Sequence, residues 1–320
     1  MTTSTPNAVG LIAGWGRYPI VIAQALKAQG AAVHCIAVAG HADPQLAEFC
    51  DTHCEMGVAR IGRAIRHFHR LGVSRATLAG KIFKHKVLYG RFGWLSLVPD
   101  WRTICAFVPV YLQRRRDRKD DTLLSIIVDE FAKDGIHMAP ATDFAPELLI
   151  ASGNLSRRQP TLTEQEDIRF GWQIAKDLGR LDVGQSVCVK GKAVIALEAV
   201  EGTDECIRRA GQYCRQGGFA VVKVAKPQQD MRFDVPTIGV GTIETLAAAR
   251  GKLLAIEAGK TIVLDREEVV RLANKHGIAL VALDEAAVAR LFSPGPIAGS
   301  TVSNAGSTVS NAGSTREQAA

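Results

Sequence analysis

Residues 219–243 read Phe-Ala-Val-Val-Lys-Val-Ala-Lys-Pro-Gln-Gln-Asp-Met-Arg-Phe-Asp-Val-Pro-Thr-Ile-Gly-Val-Gly-Thr-Ile. They put two cations, Lys226 and Arg232, and two carboxylates, Asp230 and Asp234, on one polar stretch. Such cations can hold phosphate oxygens, and a carboxylate can hold Mg2+. A plain solvated loop has the same composition, so spacing alone leaves both readings open. A second acidic group, Glu198, Glu201 and Asp204, surrounds Gly202 and Thr203. A third, Asp120-Asp121, follows Lys119 at the start of a helical pattern. It can cap that helix or serve as a hydrogen-bonding or metal site.

The elements around these residues are legible from their periodicity. Val221, Val222 and Val224 form a strand that Pro227 ends, and a helix over 243–250 follows Pro236, Gly239 and Gly241. Near the start, strands are expected over 8–13, 32–39 and 75–79, with helices over 20–29 and 59–71 closed by Gly30 and Gly72. This alternation predicts a parallel sheet with covering helices, whose ligands sit at the carboxyl ends of the strands. Gly14, Gly16, Gly80 and Lys81 all fall there. Gly14-Trp-Gly16 departs from the dinucleotide fingerprint. Pro19 stands where the third glycine belongs, and the second strand ends in Val38-Ala39-Gly40 with no acid for a ribose hydroxyl. A helix start behind two glycines can still hold a phosphate. The turn therefore predicts a nucleotide without nicotinamide, or a tight turn and nothing more.

Length and composition set the frame. The 320 residues predict two domains, with 47% hydrophobic and 22% charged residues as in a globular protein. The fold class is α/β: an N-terminal Rossmann-like parallel-sheet domain over 9–140 and a second, smaller α/β domain over 163–286. Residues 1–8 are expected to be flexible, and 141–162 reads as a linker. In the second domain, Thr163 and Glu166 suggest a capping box for a helix over 163–179. Strands over 186–189 and 193–199 make a hairpin around Lys190-Gly-Lys192, and a helix follows over 205–212. Strands over 253–257, 261–264 and 278–283 flank a helix over 265–275, capped by Asp265 and Glu268. Residues 287–320 carry Ser-Thr-Val-Ser-Asn-Ala-Gly twice and predict a disordered tail.

No apolar run reaches the roughly 18 residues that span a membrane. The first nine residues lack the pattern of a signal peptide, and the seven cysteines are odd in number. A cytoplasmic protein is expected. Cys50-x-x-x-Cys54 with His53 has no second ligand pair, so zinc is not expected. The net charge of +7 favours an anionic partner. Aromatics at 94, 101, 107 and 111 precede Arg114-Arg-Arg-Asp-Arg-Lys119. No nucleic-acid motif accompanies them, and that run reads as a solvated helix end.

The chain resembles the UDP-2,3-diacylglucosamine pyrophosphatases of lipid A synthesis, in their soluble two-domain form unrelated to calcineurin-like phosphoesterases. The matching stretches are Gly10-Leu-Ile-Ala-Gly-Trp-Gly-Arg-Tyr-Pro19, Asp120-Asp-Thr-Leu-Leu124, Gly179-Arg-Leu-Asp-Val-Gly-Gln185, Glu198-Ala-Val-Glu-Gly-Thr-Asp204 and residues 223–239. The resemblance implies an N-terminal domain that holds the uridine nucleotide and a C-terminal domain that holds the diacylglucosamine end. It implies Mg2+-assisted hydrolysis to UMP and 2,3-diacylglucosamine 1-phosphate. Asp234 matches the family's essential aspartate and is expected to ligate Mg2+, helped by Glu201 or Asp204. Lys226, Arg232 and Lys81 would meet phosphate oxygens. Gly14, Gly16, Gly80, Asp120, Asp121, Thr203 and Thr237 complete the expected substrate contacts. A lipid substrate and a basic surface would bring the protein to the periphery of the inner membrane. A homo-oligomer is left open. The rival classes are a nicotinamide oxidoreductase and a non-catalytic nucleotide-binding or membrane-surface protein.

Overall fold

The computed structural model describes residues 7–81, 98–112, 120–232 and 235–291, with 109–112 and 120–123 described by backbone alone. The expected tail beyond 291 lies outside the described residues. The first body comprises β1 (Ala8–Ala13), α1 (Tyr18–Ala28), β2 (Ala32–Val38), β3 (Thr52–Met56), α2 (Ile61–Arg70), β4 (Arg75–Ala79), α3 (Trp101–Leu112), α4 (Asp120–Lys133), β5 (His137–Met138) and α5 (Ala141–Phe144). Its strands run in the order β3-β2-β1-β4-β5, every pair parallel. The strands are apolar along their length because helices cover both faces. Leu11, Ile22 and Leu26 pack on one face. Ile65, Phe68 and Phe131 pack on the other, the two phenylalanine rings 6.2 Å apart. Gly10 makes room for that ring: a Cβ there would lie 2.8 Å from Phe68.

The strand over 52–56 was not expected, because the edge strand β3 alternates over only five residues. It places Cys54 Sγ 3.3 Å from His67 Nε2 on α2. The stretch 141–162, expected as a linker, is packed. Ala141, Phe144 and Ala145 join the first core, and Ile150 joins the second. Its apolar residues outweigh its prolines.

The second body comprises β6 (Gly153–Asn154), α6 (Leu162–Arg180), β7 (Ser186–Lys190), β8 (Ala193–Leu197), α7 (Thr203–Tyr213), β9 (Ala220–Lys223), β10 (Thr237–Ile238), α8 (Val240–Ala248), β11 (Leu253–Glu257), β12 (Ile262–Val263), α9 (Arg266–Lys275), β13 (Ala279–Leu283) and α10 (Glu285–Arg290). Its larger sheet runs β6-β13-β11-β9-β7-β8. The centre, β13-β11-β9, is parallel, while β6, β7 and β8 are antiparallel to their neighbours. Strands β10 and β12 form a separate parallel pair. Trp172 of α6 packs on one face of the larger sheet, and Ile207, Leu246 and Val269 from α7, α8 and α9 pack on the other.

Three local expectations are corrected. The capping box of α6 is Thr161 with Glu164, not Thr163 with Glu166. Two Thr-x-x-Glu frames overlap there, and the earlier one wins because Glu164 also binds Arg158 at 2.7 Å. Asp265 does not cap α9: it sits at φ 51 with no cap hydrogen bond, and Glu268 pairs with Arg271. Residues 287–290 belong to α10, capped by Asp284, and not to the tail. Among the described residues, no helix is long and apolar enough to cross a membrane.

Candidate functional site

The strand order reverses at β1 and β4, the position where a doubly wound sheet opens a crevice at its carboxyl ends. The two turns there are tied together. Gly14 N donates to Ala79 O at 2.8 Å, Trp15 N to Lys81 O at 2.8 Å, and Lys81 N to Trp15 O at 2.9 Å. This approach requires glycine. A Cβ on Gly14 would lie 2.7 Å from Lys81 O. One on Gly80, at φ +93, would lie 2.8 Å from Gly14 C and 2.9 Å from Pro19 Cγ. Pro19, in place of the fingerprint's third glycine, is thus accommodated by Gly80. Gly16 differs: at φ +109 its missing Cβ would point into open space. Gly14 and Gly80 serve backbone packing, and Gly16 leaves an uncrowded backbone before α1. The Lys81 side chain is exposed. Arg17, at the start of α1, pairs with Asp265 of the second body at 3.3 Å.

A polar cluster lies at the carboxyl end of β9. Lys223 is 6% exposed, and its ammonium donates to Thr203 Oγ1 at 2.9 Å. The same hydroxyl donates to Glu198 Oε1 at 3.1 Å and lies 3.3 Å from Ser186 Oγ. The single hydroxyl proton goes to the carboxylate, while lysine supplies the donor to the oxygen's lone pair. Glu198 is itself buried, and its Oε2 has no hydrogen-bond partner. Sheet register makes the cluster: Ser186 is the partner of Lys223, and Leu197, just before Glu198, is the partner of Val187.

Beside it, Glu257 ends β11 and is 2% exposed. It accepts from Lys176 Nζ at 2.8 and 2.7 Å, from Lys260 Nζ at 2.9 Å and from Ala225 N at 2.8 Å. The last bond fixes the exit of β9 into the loop at 226–236. In that loop Lys226 Nζ donates to Asp182 Oδ1 at 2.7 Å. Arg232 Nε bonds both Asp230 oxygens, at 2.9 and 3.0 Å. The Arg232 guanidinium holds the Asp230 carboxyl below the usual carboxylate range, and Asp230 in turn raises Arg232. Asp129 of α4 also raises Arg232.

The structure therefore gathers Gly14, Gly16, Gly80 and Lys81 at the carboxyl ends of β1 and β4. It places Lys226 and Arg232 on the loop that leaves β9 and Thr237 at the start of β10, with Thr237 Oγ1 donating to Val235 O at 2.9 Å. Thr203 and Asp204 open α7. Asp120 and Asp121 open α4, their side chains outside the described ones, and Asp234 lies outside the described residues. Sequence reasoning missed Lys223, Ser186, Lys176 and Glu257. The available signal was a charge closing a buried strand, in Val221-Val222-Lys223 and in Ala255-Ile256-Glu257.

Glu201 is held by Arg209, Glu198 by Thr203, and Glu257 by two lysines. Among the described residues, no group of three or more His, Cys, Asp or Glu could hold a metal ion.

Comparison with known proteins covers nearly all of this architecture. The LpxI N-terminal domain model matches residues 8–148, and the LpxI C-terminal domain model matches 151–281. The UDP-2,3-diacylglucosamine pyrophosphatase LpxI of Caulobacter vibrioides (strain ATCC 19089 / CIP 103742 / CB 15) is 31% identical over 284 residues, 86% of this chain and 97% of that protein. Among solved structures, the biotin carboxylase subunit of pyruvate carboxylase aligns at 11% identity with a TM-score of 0.23, covering 66% of this chain and 42% of that one. That similarity is too slight to bear on fold or site. On these matches over residues 8–281, the chain belongs to the LpxI family.

Proposed function

We propose that the chain hydrolyses the pyrophosphate of UDP-2,3-diacylglucosamine, giving UMP and 2,3-diacylglucosamine 1-phosphate. The observation that carries this reading is the 31% identity over an alignment spanning 97% of a protein named for that substrate and reaction. Water adds to one phosphorus, its bond to the bridging oxygen breaks, and that oxygen leaves on the other phosphate. Such a displacement needs the pyrophosphate charge neutralised and the water placed in line.

In this reading the uridine nucleotide lies over the carboxyl ends of β1 and β4, against the open backbone at Gly16 and the exposed Lys81. Lys226 and Arg232 meet phosphate oxygens by exchanging their internal partners, Asp182 and Asp230, for the substrate. Half-buried cations need a counter-charge when the site is empty, and these carboxylates supply it. Lys223 and Glu198 hold the Thr203 hydroxyl and the start of α7 in place. They are positioning residues. A bound Mg2+ would add charge neutralisation at the phosphate oxygens. That expectation rests on Asp234, with Asp204 and Glu201 as helpers, Glu201 exchanging its Arg209 partner for the metal.

The test is Asp234→Ala assayed against UDP-2,3-diacylglucosamine, alongside wild type with chelator. Turnover should fall at least about a hundredfold, as for loss of a group acting on the developing phosphoryl charge, while substrate binding persists. Chelation should abolish turnover, and added Mg2+ should restore it. Near-normal turnover of the variant would remove Asp234 from the mechanism. Activity indifferent to chelation would remove the metal.

A further inference from the structure

Helix α3 turns an apolar face to solvent. Trp101 is 77% exposed, Ile104 37% and Val108 42%, and Cys105 is exposed as well. These residues recur at i, i+3, i+4 and i+7, one stripe of a helix. The buried side carries Thr103, whose hydroxyl accepts from Ile61 N at 3.1 Å and docks α3 on α2. Helix α2 contains no acidic residue and exposes Arg63, Arg66 and Arg70. The two exposed stripes adjoin. Arg63 N donates at 2.9 Å to Oδ2 of Asp100, the residue before Trp101, and Asp100 also lies in the field of Arg66.

An apolar helix face headed by tryptophan, flanked by an arginine stripe, suits a surface that is apolar beneath and anionic above. Aromatic residues favour the headgroup level, and each basic side chain near an anionic leaflet adds to binding. We infer that α2 and α3 form the face by which this protein seats on an anionic lipid bilayer. The choice of a bilayer rests on the diacyl-lipid substrate of the proposed function. Charge complementarity commits the face to lipid: a second copy of this chain would bring Arg63, Arg66 and Arg70 against their own kind.

The test is flotation of the full chain with two vesicle types, one of phosphatidylethanolamine and phosphatidylglycerol and one of phosphatidylcholine alone, without substrate. Wild type should float with the anionic vesicles and be released by salt. Trp101→Asp with Ile104→Asp should lower partitioning at least tenfold. Hydrolysis of micelle-dispersed substrate should stay within twofold. Arg63→Glu with Arg70→Glu should lower binding to the anionic vesicles to a similar degree. The inference is overturned if wild type does not float or if both double variants float normally. It also fails if the apolar pair dissociates an oligomer seen by light scattering, which would make a second copy the occupant. If the apolar pair instead loses cooperative melting, the chain's own residues cover the face, and the inference fails again. Vesicle binding without hydrolysis would sink the proposed function and leave this surface standing.

Discussion

Replacing Glu257 by leucine should unfasten the loop that leaves β9. The carboxylate is 2% exposed and accepts from Lys176, Lys260 and Ala225 N. Its removal leaves the Lys176 ammonium buried. That ammonium keeps only a 3.4 Å contact to Ala225 O and the face of the Trp172 ring, 5.7 Å from its centroid. Losing one partner of a buried pair costs about 3–5 kcal/mol. Against a total stability of about 5–15 kcal/mol, that is a large fraction. For a body of this size the melting temperature should fall by roughly 10–15 °C. Turnover should fall too, because Ala225 N precedes Lys226 and fixes where the loop begins. Adding Lys176→Met removes the stranded charge, so the double variant should recover at least about 2 kcal/mol of the loss. Thermal melts and urea titrations of wild type, both singles and the double give the coupling directly. Strict additivity, or a Glu257→Leu single within about 1 kcal/mol of wild type, would refute the reasoning.

Other expectations follow from single geometries. Lys223→Met keeps the buried stem but removes the donor to Thr203, so kcat should fall more than KM rises; a change confined to KM would make Lys223 a binding group instead. Gly16→Ala puts a Cβ into open space but strains a backbone at φ +109, costing about 1–2 kcal/mol. If the nucleotide approaches there, UMP affinity should also drop about tenfold, and an unchanged affinity in a folded variant would make the turn structural only. Acid should weaken the fold in two stages. Burial holds His34 and His67 below their ordinary value, so their contribution is complete above about pH 6.5 and is lost as pH falls through the lowered folded values. Lys27 holds Asp51 low and Arg232 holds Asp230 low, so their contribution is complete above about pH 4 and fades below it. Melting curves from pH 8 to pH 3 check this, and a melting temperature that rises between pH 7 and pH 5 would contradict it.

Much of the fold was legible because it is local. The strand over 8–13, the strand over 75–79 and the hairpin around Lys190-Gly-Lys192 follow from apolar runs and glycine turns a few residues apart. The meeting of the two turns was legible as well: the strand–helix alternation put Gly14 and Gly80 at carboxyl ends of parallel strands, and their backbones do meet. What sequence could not supply was pairing at long range. Lys176 and Glu257 are 81 positions apart, and Lys223 meets Thr203 only because β7 lies between β9 and β8, the strand that leads into α7. The cap of α6 was misread by two residues because two equivalent frames overlap, and only Arg158 decides between them. The exposed face of α3 was invisible for a different reason. An apolar stripe at helical spacing reads the same whether a core or a membrane covers it.

The most direct test of the central claim is the identity of the products. Purified protein, UDP-2,3-diacylglucosamine and Mg2+ should yield UMP and 2,3-diacylglucosamine 1-phosphate in equal amounts, followed by 31P NMR. In water enriched with 18O, one label should appear on one of the two phosphates. Release of UDP with free diacylglucosamine, or recovery of intact substrate, would contradict the account.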